Sequence, residues 1–409
     1  MPEPVPDHGV LPGHVQCADL VRERYGELGA AWLAGATQGD PLADAVVADL
    51  AALGRRRGQD LVGRALRAGI DAAPEAPTSL RALFAQLDDV PEWVDHDQLD
   101  RAAQHLVRNS LQYGLVLAAA ALMIGYTNPA AARPLVLTGR LVHDAGVRNL
   151  EVGDWLREVT TPGGLRRDGL GFERTVRVRL IHAHVRRHLV GHPDWDTRHL
   201  GTPISQPYLA HTLSEFGCIS VDGMHLLGAR YDKDELADIG ALWRYVGHLS
   251  GVTPALVPAD LADQHRIREL YQLTRPPVDD DSRALVGGLL DDYLVPEVVD
   301  LLPSRLPHAH RVATSYVHGL VRALVGADLA DELGVPPSQF ASAVPLLGRA
   351  TAAAYSLVEA VPGGTGWRVR RGDRYRREQE RRLRRKYAAT HDLVDHEAAP
   401  GTEGHPVRG

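Results

Sequence analysis

An all-α fold is what this 409-residue chain predicts, on three observations. Aromatic residues make up only 5% of it, alternating β-branched runs are scarce, and Ala, Leu, Arg and Glu recur at the 3.6-residue spacing of helices that bury one face. With 44% hydrophobic and 24% charged residues, the chain has the composition of a folded globular protein and not of a disordered one.

Taken in order, the periodic stretches predict helices near 15–35, 41–70, 97–125, 129–158, 172–190, 208–230, 233–251, 259–274, 282–302, 308–333 and 338–359. Pro, Gly and acidic clusters separate them: PGG at 162–164, GHPDW at 191–195, PPVDDD at 276–281, GVPP at 334–337 and VPGG at 361–364. The most apolar run, 114–124, is about half the length needed to span a bilayer, so it predicts a buried helix. Asp279, Asp280 and Asp281 are expected in a solvated loop. Residues 1–75 form a helical extension, 76–362 the main helical domain, 363–390 a basic helix and 391–409 a disordered tail.

The net charge of −7 carries no global signal for nucleic acid, and none is expected as a partner. Charge is nevertheless unevenly spread. Residues 366–387 hold 11 basic and 3 acidic side chains, so the remainder is strongly acidic and the basic helix is open to an anionic surface or to its own protein. Two cysteines, Cys17 and Cys218, exclude a disulfide framework and covalent haem attachment. Together with an N-terminus lacking a basic and apolar leader, they point to a cytoplasmic protein without a transmembrane segment.

Chemistry concentrates in two helices. In 177–189, Val178, Ile181, Val185 and Leu189 form one apolar stripe, on which His182 falls while His184 and Arg187 point away. Arg179 and Arg186 flank His182 on the same edge. An imidazole among apolar side chains with guanidinium groups beside it suits a haem, one nitrogen for iron and the cations for propionates. A core histidine bonded to a backbone carbonyl fits the same pattern. In 141–156 the stripe is Leu141, Ala145, Arg148, Val152, Trp155 and Leu156, which sets Arg148 in an apolar face where it requires a carboxylate from the protein or from a ligand. His184 and His188 stand four apart, a spacing for a non-haem metal with His192 or a carboxylate, although no H-E-x-x-H is present. Trp243, Tyr245 and His248 read as core packing on one helix. The chain holds no G-x-S-x-G, P-loop or G-x-G-x-x-G.

The ordered set PEWVD (91–95), LTGRLVHDAGVRNL (137–150), PGG (162–164), VRVRLIHAHVR (176–186), WDTRHLGTPISQ (195–206) and LWRYVGHLSGV (242–252) resembles the latex clearing proteins, or rubber oxygenases, and the MpaB-like oxygenases over roughly Pro91 to Glu359. The resemblance implies a globin-like helical core with extra flanking helices that binds a non-covalent b-type haem. It implies His182 as proximal iron ligand, Arg148 on the distal side, and Arg179 and Arg186 as further contacts to the cofactor. The lysine and threonine that follow the distal arginine in rubber-cleaving members are replaced by Glu151 and Val152. Glu151 brings acid/base capacity to that place if it points inward, although its wheel position turns it to solvent. The implied reaction adds dioxygen across a carbon–carbon double bond, here of an isoprenoid or other apolar metabolite. Two alternatives stay open: a non-catalytic binder of haem or an apolar ligand, and a His-ligated non-haem metalloenzyme.

Overall fold

In a computed structural model, which describes residues 10–138, 145–303 and 306–387, every regular element is helical and no strand occurs among the described residues. The N-terminal helices are α1 (Ala18–Gly35), α2 (Pro41–Leu53), α3 (Arg55–Ala68) and α4 (Thr78–Asp88). The expected helix 41–70 is broken because Gly54 takes a positive φ of 83°, which a helix cannot continue through. Helix α4 has no counterpart in the expected series. Asp40 starts α2 by accepting from the Ala43 N–H at 3.2 Å, with Pro41 in the first helical position.

Next come α5 (His96–Val107), α6 (Ser110–Val116) and α7 (Leu122–Gly125), the last two joined by a π-helical turn at Leu117–Ala121. The expected single helix 97–125 thus bends by 81° between α5 and α6, where the Ser110 hydroxyl bonds back to the Val107 carbonyl at 2.6 Å. The 114–124 run is largely buried, as expected. No single helix among the described residues is long and apolar enough to cross a membrane, and the α5 to α7 pair reaches that length only across the bend.

Asn128 caps α8 (Pro129–Leu137), and α9 (Ala145–Val159) leads into α10 (Leu170–Leu189). Leu141 of the expected stripe lies outside the described residues, as does the 391–409 tail. After the single turn α11 (Thr197–Leu200), α12 (Gln206–Ser214) runs through a π turn at Glu215–Ile219 into α13 (Ser220–Leu226). A capping box of Asp232 and Glu235 starts α14 (Lys233–Leu249), and Asp260 caps α15 (Leu261–Thr274).

The last group is α16 (Asp280–Gly288), a third π turn at Leu289–Leu294, α17 (Val295–Leu301), α18 (Ala309–Val325), α19 (Ala327–Glu332), α20 (Phe340–Glu359) and α21 (Gly364–Lys386). Gly326, with φ 91°, splits the expected 308–333 helix. The three aspartates form no loop: Asp279 accepts from the Ser282 N–H at 2.8 Å as the cap of α16, and Asp281 pairs with Arg133. Acidic side chains at a helix start are favoured by the dipole, which is why the aspartate run forms a helix terminus.

Helix α14 packs on α5, α10 on α2 and α9, and α12 on α15, around a main core centred on Trp243, Tyr245, Tyr271, Phe84 and Phe172. A second apolar cluster joins the α6 to α7 segment to α16, α17, α18 and α20. Trp243 stacks on Phe216 with 5.1 Å between centroids, so the aromatic segment of α14 is core, as expected.

Candidate functional site

Helix α10 carries the central side chains. Its deepest residues are Phe172, Thr175, Val176, Arg179, Leu180, Ala183, Arg186 and Leu189, the last as the stripe predicts, whereas Val178, Ile181 and Val185 are half-buried. The buried face is displaced from the wheel because two arginines belong to it, and hydropathy counts arginine as outward. Each is matched to a carboxylate from the N-terminal helices. Arg179 bonds Asp40 through Nε to Oδ2 at 2.5 Å and Nη2 to Oδ1 at 3.1 Å, and donates through Nη1 to Gln86 Oε1 at 2.7 Å. Arg186 donates through Nε to Asp44 Oδ1 at 2.8 Å and through Nη1 to the Ile204 carbonyl at 3.0 Å, leaving Nη2 buried without a partner. Arg179 is therefore spent on the fold, while Arg186 retains one free donor.

His182 lies between them, half-buried as a residue, with Nδ1 sealed from solvent and lacking any hydrogen bond. Among the described residues no carbonyl satisfies it, so it departs from the core-histidine pattern. Burial first, then the positive charges of Arg186 and Arg148, push its pKa down to about 3. The imidazole is accordingly neutral at physiological pH, the form that ligates metals.

Arg148 reaches this place from α9. Its charge bears on both His182 and Tyr126, and among the described residues no carboxylate pairs with it. The half-buried guanidinium is thus available to an anion. Trp155, two turns further along α9, fixes that helix to α10 by donating to Thr175 Oγ1 at 3.0 Å. Glu151, expected to face solvent, is instead buried with 8% of its surface exposed, because α9 has packed neighbours on more than one side.

Sequence reasoning missed a second buried polar group, on α12. His211 stacks on Tyr271 with 3.6 Å between centroids and a 6° interplanar angle, and neither of its nitrogens has a hydrogen bond. Burial drives its pKa down to about 3 and that of Glu215, 3.7 Å from its Nε2, up to about 8. Glu215 sits on the π turn against Gly125, where a Cβ would collide with its carboxyl oxygen. Its charge, when present, is felt at Tyr126, the tyrosine that Arg148 also reaches. The signal that could have found the group is a His and a Glu four apart in the otherwise apolar 206–219 stretch.

The His184 and His188 pair is exposed, with His188 and His192 rings 5.8 Å apart, and no group of three or more metal-binding side chains is assembled among the described residues. The donor set around His182 is the kind a haem would use: an imidazole without a described hydrogen bond, an Arg148 that no described carboxylate pairs, and an orphaned Arg186 Nη2, with half-buried Val178, Ile181 and Val185 on the His182 side of α10.

Comparison with known proteins gives a consistent picture. The family model for the catalytic domain of ER-bound oxygenase mpaB/B′ and rubber oxygenase matches residues 107–357. A solved structure of latex clearing protein in the closed state aligns over 83% of this chain and 91% of that one, with a TM-score of 0.62 and 19% identity, a likeness of fold. No curated protein matches the chain.

Proposed function

The chain belongs to the family of mpaB/B′ and rubber oxygenase catalytic domains, and from that premise we propose that it is a haem b-dependent oxygenase acting on a carbon–carbon double bond of an isoprenoid or other apolar small molecule. The observation that carries the cofactor part is His182: an imidazole kept neutral, with no hydrogen bond to either nitrogen among the described residues and with the Arg148 charge near it.

In this reading His182 holds the iron, and Arg148 and the free Nη2 of Arg186 take the propionates. When bound, the haem supplies iron for the reaction of dioxygen with the alkene. The chain does the rest. Val178, Ile181 and Val185 stand on the His182 side of α10 and would shield a cofactor there, and the Arg148 charge reaches the imidazole. Glu215, held protonated by burial to about pH 8, is a proton donor near Tyr126, and Glu151 is a buried carboxylate one turn from Arg148. In this reading Arg179 positions α10 through Asp40 rather than serving the cofactor. A cytoplasmic setting agrees with two unpaired cysteines.

The test is an absorption spectrum of protein expressed with added haem, beside His182→Ala. A Soret band that His182→Ala loses supports the reading, and oxygen uptake with a short terpenoid alkene then separates turnover from binding. A folded, colourless wild type overturns it.

A further inference from the structure

A cavity of about 530 Å³ lies on the far side of α9, walled by the α6 to α7 segment, α17, α18 and α21. Its lining includes none of His182, Arg148, Arg179 and Arg186 and meets the Arg148 face of α9 only at Val152. Its volume is that of a small-molecule site. Most of its wall is apolar, including Leu117, Leu122, Leu150, Leu294, Val298 and Val312. The polar lining gathers where the end of α9, Glu297 and helix α21 meet.

The charges at that end balance. Asp154, Glu297 and Glu380 face Arg157, Arg376 and Arg382. They are engaged with one another and with their surroundings: Arg382 with Glu297, Arg157 Nε with Glu380 Oε2 at 2.9 Å, Asp154 with Arg384, and Arg376 with the Thr160 carbonyl at 3.2 Å. An anionic or cationic head group would meet side chains whose charges are already paired and would find no free counter-charge among them. A neutral polar head needs none. Asp154 Oδ1 is a buried acceptor without a partner at this end, which favours a hydroxyl over a carbonyl.

We propose that this cavity binds a neutral amphiphile, an alcohol on an apolar chain, with its hydroxyl at the α21 end and its chain against α6, α7, α17 and α18.

Two glycines make the proposal testable without damaging the fold. Gly114 and Gly153 line the cavity, and a Cβ built at either meets nothing within 4 Å. Both lie in helices, where leucine is the better helix former, so Gly114→Leu and Gly153→Leu fill space in the cavity while supporting their helices. Calorimetric titration of the full chain with farnesol is expected to show one site. Each leucine variant is expected to weaken binding about tenfold with no fall in melting temperature, and farnesyl diphosphate to bind about tenfold more weakly than farnesol. No heat of binding with farnesol, or equal affinity in wild type and both variants, overturns the site. Equal or tighter binding of the diphosphate overturns the neutral head group.

Discussion

Arg179 on α10 grips Asp40, the cap of α2, through two parallel bonds of 2.5 and 3.1 Å, with both side chains only 3% exposed. The same aspartate therefore starts one helix and holds the helix that carries His182. Gly251 passes so close that a Cβ there would collide with Asp40 Oδ2 and Arg179 Nε, and its φ of 78° disfavours any other residue.

Removing one partner leaves a desolvated charge, so Arg179→Ala is expected to cost about 3–5 kcal/mol of stability. Chemical denaturation measures it. The double variant Arg179→Met with Asp40→Leu is expected to be more stable than Arg179→Met alone, despite losing the α2 cap, because it removes the aspartate charge left unpaired.

Stability should fall toward acid because of His182 and His211. Both have folded pKa values of about 3 against 6.5 unfolded, so the unfolded chain binds more protons between those limits. Their contribution is complete above pH 6.5 and declines as pH drops toward 3, by about 1.4 kcal/mol per unit for each histidine. The variant His211→Phe keeps the stack on Tyr271 and should flatten that limb of a denaturation profile.

Glu215 works in the opposite direction. Its carboxyl is raised from 4.5 to about 8, so its contribution is present below pH 4.5 and is lost as pH rises through 8. Glu215→Gln is expected to gain stability relative to wild type progressively over that window, measured as a pH series of melting temperatures. A constant difference across the series would show that the carboxyl ionises freely in the folded protein.

Arg148→Met is expected to raise the stability of the haem-free chain by about 1 kcal/mol, because it deletes a half-buried charge that no described carboxylate pairs. The same variant is expected to weaken haem retention. Opposite signs in a thermal melt and a haem titration distinguish a binding arginine from a structural one.

Helix α21 is pinned at its C-terminal end to Glu297, which receives Arg382 and the Lys386 ammonium at 2.9 Å. Glu297→Ala should free that end and speed tryptic cleavage after the exposed Arg377, Arg381 and Arg385 several-fold, with the main core unchanged by hydrogen exchange.

Much of this arrangement is written in local sequence. Periodicity predicts all but one of the long described helices, and the residue pattern of α10 alone singles out His182. What escapes is non-local or lacks a compositional mark. Asp40 and Asp44 lie some 140 residues from the arginines they pair with, so Arg179 and Arg186 read as ligands for an anion when one of them is wholly spent on the fold. Gly54 and Gly326 resemble tolerated helical glycines until their positive φ is known. The π turns look like ordinary helix, yet one of them sets Glu215 against Gly125. The basic run leaves its partner open between an outside surface and its own body, and only the folded chain puts Asp154, Glu297 and Asp300 beside it.

Helix α9 is a partition. Arg148 serves the His182 side, while Leu150, Gly153 and Asp154 a turn or so later serve the cavity, and Trp155 ties the whole segment to α10. A rod so placed transmits displacement as well as separating two spaces. A cavity occupant that shifts α9 alters affinity for whatever His182 and Arg148 hold by some factor, and reciprocity requires that second occupant to act back on the first by the same factor.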